Sequence, residues 1–207
     1  MRVYLIRHGQ TAWNAHGRAQ GHTDIELDEE GREQARALGE AARAGRIRAH
    51  KVVTSDLVRS AETAKALECV NTLTDPRLRE RSFGEWEGLP FEEIHRQVPG
   101  SGVGAFEFRP PGGESFQDVW NRVEPVAAEL FDEKDPIAVV THGGTCAILL
   151  AQLLKGTQAT PRAFRFGNTG VTELQRRPDG LFTMIRYNDL THLSSPAKSG
   201  DLDGSRR

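Results

Sequence analysis

The chain has 207 residues, 37% of them hydrophobic and 27% charged, with a formal net charge of −2. That length fits one large domain or two small ones, and the balance is that of a globular protein with a comfortably buried core. The near-neutral charge leaves no global basic field for nucleic acid or an anionic membrane, so any anion site must be local, and apolar runs such as Ala147 to Ala151 are far too short to cross a bilayer.

Val3 to Ile6 is a short apolar run, β-branched and aromatic, that predicts a buried strand. It ends in Arg7-His8-Gly9. A cation and an imidazole at the end of a core strand are costly to bury unless an anion sits there. A phosphate suits the place. Arg7 offers a planar fork of donors, Gly9 admits close backbone approach, and His8 is a possible nucleophile. A solvated Arg-His pair at a strand end fits the tripeptide equally well.

Residues 9 to 27 form a long polar loop, and Trp13 within it argues for order. A helix is expected from Glu29 to Ala44, a strand over Lys51 to Ser55, and a helix from an N-cap at Ser55 to about Glu68. Val70 to Leu73 suggests a weaker strand, and Asp75-Pro76 a turn. Residues 78 to 90 show no clean period. Phe91 to Val98 reads as a short helix, and glycines from Gly100 to Gly104 and at Gly112 and Gly113 bracket a flexible segment.

The strongest helical period runs from Ser115 to Phe131, opened by a capping-box-like Ser115 and Asp118. Pro136 to Thr141 is the clearest strand, apolar enough to be buried on both faces, and it breaks at His142-Gly-Gly144 into a helix to about Leu154. Thr160-Pro161 suggests an N-cap and N1 proline. Val171 to Gln175 and Leu181 to Tyr187 read as a hairpin across Pro178-Asp-Gly180. From Ser194 onward the polar composition predicts a disordered tail. Strands alternating with helices, with no linker and no repeats, predict one α/β domain over 1–193, a three-layer sandwich on a mostly parallel sheet.

Two strands thus end alike, in Arg7-His8-Gly9 and Thr141-His142-Gly143. Ligands of open α/β sheets bind beyond the carboxyl ends of strands. Arg59, one turn into a helix, can reach the same crevice or lie on a solvated face. Glu80, Glu85 and Glu87 compete as a nearby carboxyl group, and spacing does not separate them. The two cysteines, Cys69 and Cys146, form no motif, and no signal-peptide pattern opens the chain, which together predict a reduced, cytoplasmic protein. The histidines show no metal-ligand spacing. Pocket walls are expected from residues 16 to 24 and 89 to 112, with His16 and His22 possible substrate contacts.

Leu5-Ile-Arg-His-Gly-Gln-Thr-Ala-Trp-Asn14, Arg18-Ala-Gln-Gly21, Ser55-Asp-Leu-Val-Arg-Ser-Ala-Glu-Thr-Ala64, Leu78-Arg-Glu-Arg-Ser-Phe-Gly-Glu-Trp-Glu-Gly88, Pro111-Gly-Gly-Glu-Ser115 and Val139-Val-Thr-His-Gly-Gly144 occur in this order. Together they resemble the signature of the histidine phosphatase superfamily, also called phosphoglycerate mutase-like, over residues 3 to about 193. Gln10 stands where many members carry Glu. The resemblance implies the phosphoglycerate mutase-like fold. It implies His8 as a nucleophile that becomes phosphohistidine, Arg7, Arg59 and His142 as catalytic groups holding the phosphoryl oxygens, and Asn14 and the Gly143 amide assisting them. It implies Glu80 as general acid, and Gln20 and Gly21 at the substrate border. It implies no metal and no cofactor, because cationic side chains supply the charge that phosphoryl transfer needs.

The expected activity is a phosphomonoesterase acting on a small phosphorylated metabolite. A cofactor-dependent phosphoglycerate mutase and a non-catalytic phospho-ligand-binding protein on the same fold are the alternatives. Residues 89 to 112, rich in Gly and Pro, are shorter than the cover of the family's mutases, and Phe83 to Gly88 is similar to the phosphatase branch. No nucleic-acid or membrane partner is expected, and a monomer and a homodimer both fit.

Overall fold

Arg2–Arg7 forms strand β1, and its alternate side chains leave for opposite faces of the sheet. Val3 and Leu5 pack into one apolar cluster, Tyr4 and Ile6 into another, and all four are essentially inaccessible to water. The strand is therefore central in the fold, with layers on both sides. The coordinates are a computed structural model that describes residues 1–97, 104 and 106–193. The tail expected from Ser194, and the Gly100 to Gly104 stretch apart from Gly104 itself, lie outside the described residues.

Six strands build one sheet. After β1 come β2 (Lys51–Thr54), β3 (Thr72–Thr74), β4 (Ile137–Thr141), β5 (Val171–Arg176) and β6 (Phe182–Asp189), in the spatial order β3-β2-β4-β1-β5-β6. The first four in that order run parallel, and β5 and β6 are antiparallel additions. Two helices, α2 (Glu29–Arg43) and α3 (Val58–Lys65), cover one face through Leu38 and Ala64. Two others, α5 (Phe116–Asp132) and α6 (Gly143–Leu153), cover the other through Val119, Val123, Leu149 and Leu153. Short helices α1 (Ala12–Ala15) and α4 (Phe91–Gln97) lie in the loops above. The expected three-layer, mostly parallel α/β sandwich is what forms.

Parallel pairing of β1 with β4 puts Arg7 beside Thr141, and the His8 amide donates to the Thr141 carbonyl at 2.9 Å. The two Arg/Thr-His-Gly strand ends are thereby stitched side by side. The loop leaving β1 is pressed against α2. An added Cβ at Gly9 would stand 2.6 Å from the Gly31 carbonyl oxygen, and one at Gly31 would stand 2.0 Å from that of Gln10, so only paired glycines permit this approach.

Two expectations about helix starts fail. Ser55 does not cap α3. The N-cap is Leu57, which makes no side-chain cap bond, and the Val58 amide donates instead to Asp24 Oδ1 at 2.8 Å. Thr160 does not cap an α-helix either. It lies inside a 3₁₀ turn, Thr160–Ala163, and its hydroxyl accepts from the Thr157 amide at 2.9 Å.

Leu5 sits where both site-bearing strands meet the α5–α6 cluster. Leu5→Ala should cost about 2–5 kcal/mol, the range for emptying a tightly packed apolar site. Urea unfolding should show a lower midpoint with an unchanged m value.

Candidate active site

His8 and His142 stand just beyond the ends of β1 and β4, with ring centroids 5.1 Å apart in an edge-to-face pose. Both are buried, and so are two guanidinium groups, Arg7 at 8% exposure and Arg59 at 1%. Backbone carbonyls hold the arginines in place. Arg7 Nη1 donates to the Phe166 carbonyl at 2.6 Å. Arg59 Nη2 and Nη1 donate to the carbonyls of Gly21 and Thr23 at 2.8 and 3.0 Å. Arg59, left open by the sequence, therefore faces the crevice.

Hydrogen bonds distinguish the two imidazoles. His8 Nδ1 lies 2.6 Å from the Gly9 carbonyl oxygen, which only accepts, so Nδ1 carries the proton and Nε2 keeps its lone pair. In His142 the polarity is reversed. Arg59 Nε donates to Nδ1 at 3.3 Å, so the proton of the neutral ring sits on Nε2. That Nε2 is buried with no hydrogen-bond partner among the described residues. Burial, then the charges of Arg59 and Arg7, hold the His8 pKa well below its ordinary value. Burial, Arg59, His8 and Arg7 do the same to His142. Burial also lowers the Arg59 pKa to about 10, which leaves it a cation at neutral pH.

Glu80 faces this group from the loop after β3. Its carboxylate accepts from the Gly144 amide at 3.0 Å and from the Arg81 amide at 2.9 Å. The three acidic candidates now separate. Glu80 lines the cavity, whereas Glu85 is exposed and absent from the walls. Glu87 is a clamp, accepting from the amides of His22, Thr23 and Phe83 at 2.9, 2.8 and 3.1 Å. Burial works to raise its pKa, but those bonds and the Thr23 hydroxyl hold it below the ordinary value.

Arg7, His8, Asn14, Gln20, Gly21, Arg59, Glu80 and Gly143 all border one cavity of about 480 Å³. Asn14 anchors its side-chain oxygen on Thr11 at 3.2 Å, and Asn168 donates to the same oxygen at 3.4 Å and to the His8 carbonyl at 2.9 Å. The expected wall segments contribute Gly17, Arg18, Phe91 and Phe108. Neither His16 nor His22 lines the cavity. His22 Nε2 lies 2.9 Å from the Glu80 carbonyl and braces that loop from behind.

Several supporting residues escape a sequence reading. Arg122 on α5 donates to the carbonyls of Arg77, Arg79 and Glu80 at 2.6, 3.0 and 3.2 Å, and pairs with Glu114 through Nε and Nη2 at 2.9 and 3.0 Å. It fixes the backbone from which Glu80 projects. Gly144 admits Glu80, since an added Cβ would stand 2.7 Å from Glu80 Oε1. The cavity wall at residues 158 to 166 was also unforeseen. Proline after Thr160 signalled a turn there, but nothing local signalled its distance from the strand ends. Among the described residues no group of three or more His, Cys, Asp or Glu has a metal-binding arrangement, and no helix is long and apolar enough to cross a membrane.

The family model described as the histidine phosphatase superfamily (branch 1) matches residues 3–190. The chain is 38% identical to the glucosyl-3-phosphoglycerate phosphatase of Mycobacterium tuberculosis, over 97% of this chain and 98% of that one. It is 35% identical to a metal-independent phosphoserine phosphatase of Arabidopsis thaliana, over 93% and 83%. A solved mycobacterial glucosyl-3-phosphoglycerate phosphatase in complex with VO3 superposes with a TM-score of 0.79 at 36% identity, covering 90% of this chain and 98% of that one.

The depressed imidazoles make stability pH-dependent. Unfolded histidine titrates near 6.5, whereas His8 and His142 stay neutral in the fold at that pH. Below 6.5 the unfolded state binds more protons, so stability should fall with falling pH, by about 1.4 kcal/mol per pH unit for each imidazole until the folded value is reached. His192, lowered to about 4 chiefly by burial, adds to the same slope. Urea unfolding at pH 7, 6 and 5 should give a smaller slope for His142→Asn than for wild type. An unchanged slope would contradict a neutral buried His142.

Proposed function

The chain belongs to the histidine phosphatase superfamily and is a phosphomonoesterase, and on that footing we propose that His8 is its phosphoryl acceptor and Glu80 its proton donor. The observation that carries the proposal is the opposed pair of imidazoles. His8, which keeps a lone pair at Nε2, lines the cavity together with Arg7 and Arg59, and the buried His142 ring stands behind it at 5.1 Å with an Nε2–H that has no partner among the described residues. A phosphoryl group fits there. Its oxygens take the guanidinium protons, the His142 Nε2–H, the Gly143 amide and the Asn14 amide, while its phosphorus meets His8.

In the first step the His8 Nε2–P bond forms as the bond from phosphorus to the ester oxygen breaks. The departing oxygen takes the proton of Glu80, and the alcohol leaves. In the second step Glu80, now a carboxylate, takes a proton from water, the oxygen attacks phosphorus, and His8 is released with phosphate. Charge spread over the equatorial oxygens meets fixed cations throughout, so positioning and electrostatics carry the reaction. The neutral state of His8, maintained by burial and the arginines, keeps its lone pair available.

The alcohol of a small phosphorylated metabolite would lie in the cavity beside Gln20, Gly21 and Phe91. The relatives named above act on glucosyl-3-phosphoglycerate and phosphoserine, which supports a metabolite of that size class. A cytoplasmic place of action belongs to the same proposal. Cys69 and Cys146 are both free thiols, as a reducing compartment keeps them.

Acid-free quenching of wild type with a labelled phosphomonoester should trap an acid-labile phosphoryl group, absent from His8→Ala. Activity should survive exhaustive chelation of divalent ions. Phosphate release should exceed conversion of 3-phosphoglycerate to 2-phosphoglycerate with or without 2,3-bisphosphoglycerate. A faster, primer-dependent isomerisation would make the protein a mutase instead.

Gly144→Ala tests the acid. The new methyl would push Glu80 off the α6 amide while leaving the core intact, because the clash is with a side-chain end. Turnover of alkyl phosphates should fall about 100-fold, the cost of misplacing a reacting group by an ångström. Aryl phosphates, whose leaving oxygen needs little protonation, should lose much less. Equal losses on both would remove Glu80 from the acid role.

A further inference from the structure

The cavity has a second half that phosphate chemistry does not use. Six phenylalanines, Phe83, Phe91, Phe106, Phe108, Phe116 and Phe164, converge on it. They come from the acid loop, α4, the 106–108 segment, the first turn of α5 and the 3₁₀ turn near residue 160, so no single element explains their meeting. None is fully buried, and each ring stays partly open to the concavity. Contiguous exposed aromatic surface is unfavourable in water and in soluble proteins marks a binding site.

The rings brace one another. Phe83 and Phe91 meet edge-on at 5.8 Å, Phe106 stacks on Phe116 at 6.3 Å, and Phe108 stacks on Trp86 at 5.5 Å. The wall is thus held ready before any ligand arrives.

The arginines of this half, Arg18, Arg81, Arg162 and Arg165, line it beside the rings, and three of them are held on carbonyls. The Arg81 guanidinium lies 4.4 Å from the Phe116 ring centre and 5.0 Å from that of Phe83, and its Nε donates to the Glu114 carbonyl at 2.8 Å. Arg18 Nη1 donates to the Gly88 carbonyl at 2.7 Å, and Arg165 Nη1 to the carbonyls of Arg162 and Phe164 at 2.9 Å each. Glu80 is the sole carboxylate lining the cavity among the described residues. The phenylalanines thus offer a flat apolar face to a group attached beside the phosphate.

We propose that this aromatic half is the leaving-group subsite and that it selects phosphomonoesters whose alcohol carries a ring-sized aromatic group. The inference rests on the phosphatase reading and deepens it. A volume of about 480 Å³ accommodates a phosphate with such a group attached. The ring would lie against the phenylalanines in offset or edge-on contact, with the ester oxygen toward Glu80.

The test compares primary alkyl phosphates, so that the leaving oxygens need similar protonation. The purified full chain is assayed for phosphate release from 2-phenylethyl phosphate, glycerol 1-phosphate, glucose 6-phosphate and 3-phosphoglycerate. The expected kcat/KM for the phenylethyl ester exceeds each of the others by about 30-fold or more, the order that filling an apolar subsite gives. In Phe91→Ala and Phe108→Ala, the ratio of the phenylethyl to the glycerol ester should collapse toward one. A drop shared equally by both esters, as simple misfolding would give, overturns the inference. So does a wild-type preference for 3-phosphoglycerate or glucose 6-phosphate, which leaves the phosphatase reading standing. Absence of phosphate release from all four esters overturns both.

Discussion

Burying two arginines against two neutral histidines is the constraint on which the rest of the site depends. Each guanidinium must be desolvated and still find acceptors, because an unsatisfied buried charge costs several kcal/mol. Here the acceptors are main-chain carbonyls: Phe166 for Arg7, Gly21 and Thr23 for Arg59. Carbonyls satisfy the donors without cancelling the charge, as a carboxylate in their place would. That choice dictates the loops. The segment at 20–23 must come down onto Arg59, and Glu87 holds it there by gathering the amides of His22 and Thr23. Gly21, at φ +53 with Glu87 Oε1 2.1 Å from where its Cβ would be, is the residue that lets the two chains approach so closely.

The same reasoning explains what could be read without coordinates. Strand period and the matching His-Gly endings are local signals, so a mostly parallel sheet and both histidines were legible, whereas the pairing of β1 with β4 came from the structure. Of the wall segments expected at 16 to 24 and 89 to 112, the first follows from the loop that leaves β1, and both contribute residues, among them Gly17, Gln20, Phe91 and Phe108. Matters settled by distant partners were hidden. Spacing could not rank Glu80, Glu85 and Glu87, because their roles depend on Gly144, on solvent and on the 22–23 amides, respectively. Ser55 looked like a cap because its chemistry is right. Asp24, 34 residues from Val58, occupies the position instead. Arg122 and the six phenylalanines carry no local signal of their roles, because five separate segments bring the rings together and Arg122 acts on a loop more than forty residues away.

Electrostatics ties the scaffold to the chemistry. The positive cluster and the burial that depresses His8 and His142 are one arrangement, so the stability lost on acidification and the availability of the His8 lone pair have a common origin. A rise in local polarity would relieve the first and weaken the second. The molecule accepts a stability cost at these buried histidines, as ligand sites commonly do. The compensation is the apolar packing of Leu5, Val139 and Leu149 directly beneath.

Helix capping shows how the site was fitted into the fold. A helix N-terminus needs acceptors for its first amides, and the N-cap side chain ordinarily supplies one. α2 follows that rule through Asp28, and α5 through Ser115. The two helices that face the site, α3 and α6, break it. Leu57 and His142 occupy their N-cap positions and make no side-chain cap bond. Asp24 caps α3 from the 20–24 loop, and Glu80 caps α6 from the acid loop, at 2.8 and 3.0 Å. The substitution has two consequences. It leaves the His142 ring free of its own helix, with Nδ1 accepting from Arg59 and Nε2 unpartnered among the described residues. It also ties the position of Glu80 to the start of α6, since the Gly144 amide donates to its side chain. Loops that carry catalytic groups are mobile by default. Here each is fastened by a backbone need of the scaffold, which is why a small carboxylate shift at Gly144 would reach the chemistry before it reached the fold.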